Sequence, residues 1–157
     1  MDIQFKTNDK RFNCRVSGIC IKENKFFLTR LPSDDFWTFV GGKVAFDEST
    51  DIAVIREFNE ETGVCLQIER LLAIIENFFD LDGYSWHQYI FFYNLKDENN
   101  LLEFFDGERK IDDEENAVYK WFDLSELDNI NIKPSCSKEI LKNLSANIQH
   151  YIVRDNQ

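Results

Sequence analysis

The sequence predicts a mixed β-sheet packed by helices, an α/β or α+β fold, and three observations carry that prediction. β-prone runs lie on both sides of one amphipathic helical segment, two long runs meet at an Asp-Gly turn, and a second amphipathic segment closes the chain. At 157 residues the chain has the length of one ordinary domain, and no repeat, low-complexity tract or Pro/Gly/Ser linker divides residues 1–157.

The elements follow in order. "NCRVSGICI" and "KFFLTRL" are β-rich and flank the polar turn "KENK", the pattern of a hairpin. From Ser49 to Thr62 the pattern becomes helical, with Ser49 as N-cap, Asp51 in the first turn and Gly63 as the C-terminal stop. Ile52, Ile55 and Phe58 recur at helical spacing and predict the buried stripe, widened by Ala53 and Val54. "VCLQIERLLAIIENFFDL" and "YSWHQYIFFYNL" then form a second hairpin about "DG". The acidic "DGERKIDDEENA" predicts an exposed loop and "VYKWF" a short strand. "SCSKEILKNLSANIQHYI" predicts a closing helix with Ile140, Leu141, Leu144 and Ile148 on one face.

Composition limits the function. Apolar residues make up 43% and aromatics 15% of the chain, enough for a packed, Phe-rich core. The net charge is −11, from 29 acids against 18 bases, and no basic block interrupts it. Such a surface repels long polyanions and anionic membranes, so duplex nucleic acid and membranes are excluded as expected partners. A small phosphorylated ligand fits only with a bound cation to offset the repulsion. Cys14, Cys20, Cys65 and Cys136 lack metal-site spacing and read as reduced thiols. The first residues hold no apolar leader and no run of 18 apolar residues occurs, so the expected location is cytoplasmic.

The stretch "GGKVAFDESTDIAVIREFNEETG", residues 41–63, concentrates the chemistry. Glu57, Glu60 and Glu61 stand at i, i+3 and i+4, which on a helix brings their side chains to one patch, with Cβ atoms about 5 to 6 Å apart. Like charges at that spacing cost helix stability, and a solvated acidic face is the ordinary explanation. Gly41 and Gly42 argue against it, because they let a ligand approach the backbone ahead of the helix. Glu48 reaches the same place, and Arg56 can orient a carboxylate through its guanidinium fork. Hard oxygen donors clustered this way suit Mg²⁺ or Mn²⁺.

The same stretch resembles the Nudix box, Gx5Ex7REUxEExGU with U a bulky aliphatic: Gly42, Glu48, Arg56, Glu57, Phe58 at U, Glu60, Glu61, Gly63 and Val64 at U. The chain departs from the pattern in carrying an aromatic at Phe58, and "FVGG" replaces the frequent "LPGG". Outside the box, "FFLTR", "FWTFVGG" and "VYKWFDLSEL" look like further family segments.

The resemblance implies a Nudix-type α/β/α sandwich and Mg²⁺-dependent cleavage (Mn²⁺ as the alternative ion) of a nucleoside diphosphate linked to another group. It also implies metal ligation by Gly42, Glu57, Glu60 and Glu61, with Arg56 holding a glutamate in place. The general base is Glu57 or a carboxylate outside the box, Glu114 or Glu115. Arg30 reads as a phosphate contact or a surface ion pair, and Gly41 as part of the substrate's seat. Trp37 reads as packing, while Phe78, Phe79 and Trp86 read either as a nucleobase pocket or as core. His87 is followed by Gln88 where a subset of relatives has Glu. Homodimers are common in the family. A non-catalytic sensor domain and a plain metal-binding module are the competing functions.

Overall fold

A computed structural model describes residues 1–103, 109–110, 116–144 and 147–155. Its strands are β1 (Gln4–Lys6), β2 (Lys10–Lys22), β3 (Lys25–Arg30), β4 (Val40–Lys43), β5 (Gln67–Leu81), β6 (Tyr84–Lys96), β7 (Arg109–Lys110), β8 (Val118–Asp123) and β9 (Gln149–Asp155). Helix α1 spans Thr50–Thr62 and α2 spans Ser137–Lys142, with a 3₁₀ turn at Leu124–Asn129.

The sheet runs β7-β8-β3-β2-β6-β5-β9, with β1 and β4 also pairing to β2. It is mixed: β2 lies parallel to β6 and β5 parallel to β9, while the other pairs are antiparallel. Both predicted hairpins form. Glu23 and Asn24 have φ of 50° and 62° at the first turn, and Asp82 and Gly83 have 52° and 77° at the second. Positive φ at both central residues matches the right-handed twist of the strands they join.

Alternation along the strands divides the core in two. Val16, Cys20, Phe27, Tyr93, Tyr119 and Trp121 face α1 through Ala53, Val54 and Phe58. Ile19, Phe26, Leu28, Ile75 and Phe92 face α2 and the 3₁₀ turn through Ile140, Leu141 and Leu127. Odd and even residues of one strand thus serve opposite layers, which gives the α/β/α arrangement.

Three expectations need correction. Ile52 is 60% exposed, so the buried stripe of α1 is Ala53, Val54 and Phe58 with Ile55 half-buried. The Ala53/Val54 shoulder, not the three-residue spacing alone, meets the sheet. The closing helix ends at Lys142, and Leu144 and Ile148 lie exposed. Gln149–Asp155 instead runs along β5 as β9, because the open edge of β5 offers backbone partners to the Ile- and Val-rich "YIV". The predicted exposed loop "DGERKIDDEENA" contains β7 and ends on the buried Ala117. Glu114 and Glu115 lie outside the described residues. No helix among the described residues is long and apolar enough to cross a membrane.

Candidate active site

α1 starts and stops where its sequence predicts, although Ser49 makes no side-chain capping hydrogen bond. Ser49 is extended at the N-cap, and Gly63 takes the left-handed conformation at φ 75° with its N–H on Asn59. With Ala53, Val54 and Phe58 turned to the sheet, the helix sets Arg56, Glu57, Glu60 and Glu61 toward β4. Gly41 and Gly42 are residues of β4 rather than of a loop, opposite Ser17 and Val16 of β2.

Arg56 organises the carboxylates. Its Nε donates to Glu48 Oε1 at 2.7 Å and its Nη2 to Glu48 Oε2 at 2.9 Å, a two-pronged pair. Nη2 also donates to the Lys43 carbonyl at 3.1 Å, while Nη1 reaches Glu57 Oε1 at 2.8 Å and Glu60 Oε2 at 3.3 Å. Glu48 in turn accepts the Ala45 N–H at 3.0 Å, and the Arg56 hydrogen bonds hold its carboxyl below the usual range. One guanidinium therefore ties the loop, β4 and two turns of α1 together.

Glu61 is set apart. Its Oε2 accepts from the Tyr119 hydroxyl at 3.1 Å, and the carboxyl is pushed up to about 7, first by burial and then by the neighbouring Glu57 charge. Tyr119, the Gly41 backbone and Arg15 favour its ionised form, yet burial prevails.

A cleft of about 620 Å³ is lined by Glu57, Glu60, Glu61, Gly41, Arg15 and Arg30, among others. Arg30 donates to the Asp34 carbonyl at 3.2 Å and lies over the Trp37 ring, 5.0 Å from its centroid. Trp37 packs edge-on against Phe122 at 4.9 Å and lies half-buried against the core. The structure therefore brings together Arg30, Gly41, Gly42, Arg56, Glu57, Glu60 and Glu61. It leaves His150 apart, hydrogen-bonded to Glu76 at 2.8 Å. Among the described residues no three acidic, His or Cys side chains already converge as a metal cluster, since Glu57 and Glu60 turn to Arg56.

Sequence reasoning missed Arg15 and Tyr119. For Arg15 a signal existed: Asn13, Arg15 and Ser17 put polar groups at alternate positions of a strand otherwise rich in apolar residues. For Tyr119 nothing local marks it, because its partner is 58 residues away.

Comparison with known proteins gives the family and the fold. The NUDIX domain model matches residues 13–144. The uncharacterized Nudix hydrolase YvcI of Bacillus subtilis is 26% identical over 125 residues, which cover 76% of this chain and 72% of the relative. The ADP-ribose pyrophosphatase of Methanocaldococcus jannaschii is 36% identical over 62 residues, 38% of this chain and 37% of that protein. The MutT protein from Bacillus halodurans has the same fold, with a TM-score of 0.66 at 21% identity over 89% of this chain and 90% of that one. A family model spanning most of the chain, over a mixed sheet with the box helix seated on it, shows that the chain belongs to the NUDIX family.

Proposed function

We propose that the chain hydrolyses the diphosphate bond of a nucleoside diphosphate linked to another group, with Mg²⁺ as cofactor and Mn²⁺ as the alternative. The chain is a pyrophosphatase-type enzyme of its family. One observation carries the finer reading: a single cleft presents carboxylates Glu57, Glu60 and Glu61 beside guanidiniums Arg15 and Arg30. Anhydride substrates need both, cations to hold phosphate oxygens and hard anionic oxygens to hold the metal.

The residues fit a divalent cation. Glu57, Glu60, Glu61 and the Gly42 carbonyl are oxygen donors of the right hardness, and Glu61 is a half-buried carboxyl whose unfavourable ionisation a cation offsets. When bound, the metal polarises the anhydride and lowers the pKa of the attacking water. Arg15 and Arg30 bind and orient phosphate oxygens. Arg56 holds Glu57 over Gly42, and Glu57 takes the proton of the water. A loop carboxylate, Glu114 or Glu115, is the alternative base.

The test is a panel of nucleoside diphosphate derivatives and nucleoside triphosphates incubated with Mg²⁺ or Mn²⁺, products identified by mass. Cleavage that stops with EDTA is the expected result. No cleavage of any member under either metal removes the enzyme reading and leaves a sensor domain.

Glu61 gives a pH signature. Its folded pKa is raised, so its contribution to stability is full below the unfolded carboxylate value and is lost as pH rises toward about 7. A divalent cation needs the ionised form, so its binding competes with the proton and strengthens as pH rises through that window. Millimolar Mg²⁺ should raise Tm more at pH 8 than at pH 5.5, and Glu61→Gln should abolish the difference. Equal Mg²⁺-induced shifts at both pH values would remove Glu61 from the metal's ligands.

A further inference from the structure

The chain leads from the cleft straight into the core at β8. Ala117, just before that strand, lines the cleft, and two residues on Tyr119 has no exposed surface. Its ring stacks on Phe27 at 6.0 Å and 19°, in the cluster that also holds Phe58 and Trp121. Register with β3 sets its backbone opposite Thr29, so strand and ring are both fixed. Packing alone would be met by Phe, which this chain uses 15 times against 5 Tyr. What Tyr adds is a hydroxyl, and that hydroxyl donates to Glu61 Oε2 at 3.1 Å.

The carboxylates of the cleft differ in what holds them. Arg56 directs its donors to Glu48, Glu57, Glu60 and the Lys43 carbonyl. A guanidinium cancels part of a carboxylate's charge and so competes with a cation that approaches it. Glu61 is hydrogen-bonded by two uncharged donors, the Tyr119 hydroxyl and the Gly41 backbone, while Arg15 adds an electrostatic attraction from β2. Uncharged donors fix the direction of a carboxylate and leave its negative charge to a cation. Because the Tyr119 ring is locked by packing, its hydroxyl offers Glu61 a single seat.

We propose that Tyr119 is a positioning residue for metal capture: its hydroxyl holds the Glu61 carboxylate at the cleft, where that carboxylate supplies the charge that Arg56 does not neutralise. This rests on the metal-dependent hydrolase reading, in which Glu61 is an oxygen donor to the cation. Tyr119 acts through Glu61 and is not itself a ligand. Without the hydroxyl, the Glu61 side chain gains rotamer freedom that a cation must remove on binding, and affinity falls. α1 brings the carboxylate and β8 its support, so metal affinity depends on a contact between segments 58 residues apart.

The test is calorimetric titration of the full chain with Mn²⁺ alone, at pH 8 and without substrate. Tyr119→Phe, which keeps the ring and removes the donor, should weaken Mn²⁺ binding about tenfold, the usual effect of losing a group that orients a ligand. In a Glu61→Gln background the same change should have no further effect, since the group it positions is gone. A merely structural Tyr119 would lower Tm and leave Mn²⁺ affinity as it was, and that result overturns the proposal. So does an equal tenfold loss in the Glu61→Gln background, because the hydroxyl would then act elsewhere. In the wild type, the Tyr119 hydroxyl proton should be protected from exchange and its NMR signal should move on Mg²⁺ addition. A signal that Mg²⁺ leaves in place overturns the proposal even if Tyr119→Phe does not fold. Weakened Mn²⁺ binding without hydrolysis of the panel would sink the catalytic reading alone, and hydrolysis with unchanged Mn²⁺ affinity in Tyr119→Phe would sink this one alone.

Discussion

Glu57→Gln is expected to lower kcat at least about 10²-fold, the usual contribution of a positioned acid or base, with Tm nearly unchanged. The amide keeps the shape of the carboxylate and an oxygen to accept the Arg56 Nη1 hydrogen bond, now 2.8 Å long, so the helix loses no packing. It loses the negative charge that attracts a cation and the basicity that receives a proton. Steady-state kinetics at saturating substrate and metal separate the two losses. If excess Mg²⁺ restores turnover, the deficit lies in metal affinity; if kcat stays low, it lies in proton transfer. Turnover close to that of the wild type would remove Glu57 from the mechanism and transfer the base to a loop carboxylate.

Gly42→Ala should nearly match that loss through packing alone. A Cβ at Gly42 would stand 2.2 Å from Glu57 Oε2 and 2.6 Å from Oε1, so the carboxylate must leave its seat. Because the obstructed group is the end of a side chain, the fold can accommodate it, and kcat should fall about 10- to 10²-fold with only a small change in Tm. Gly41→Ala should do the reverse. Its Cβ would lie 2.0 Å from the Val16 carbonyl oxygen, a backbone atom of the paired strand, so β2 and β4 must separate. A stability loss of about 2 kcal/mol or more is expected, seen in denaturant unfolding. If Gly42→Ala kept full activity, the position of Glu57 over β4 would be irrelevant to the reaction.

The contrast between the two glycines also shows how far the sequence could be read. Both looked like openings for a ligand's approach. Gly41 does line the cleft, but each glycine is required by a neighbour inside the protein, one by the backbone of β2 and the other by Glu57. The β2–β3 and β5–β6 hairpins were legible because their turns and alternation are local. The last strand was not, because "KEILKNL" continues plausibly as a helix until the unpaired edge of β5 is taken into account.

By itself the sequence determined which side chains gather on one helix. Spacing of three and four residues puts Glu57, Glu60 and Glu61 on one patch of a helix wherever that helix lies, and Arg56 follows from the same winding. Only the tertiary structure decided how those groups differ. Arg56 grips Glu48, Glu57 and Glu60, while Tyr119 and burial set Glu61 apart. Arg15 enters from a strand, and strand register sets Asn77 of β5 beside Gln88 of β6. The physical reason is that a helix's own geometry relates residues a turn apart. The partner, depth and charge environment of each residue come from strand register and layer packing between distant segments, which local pattern does not encode.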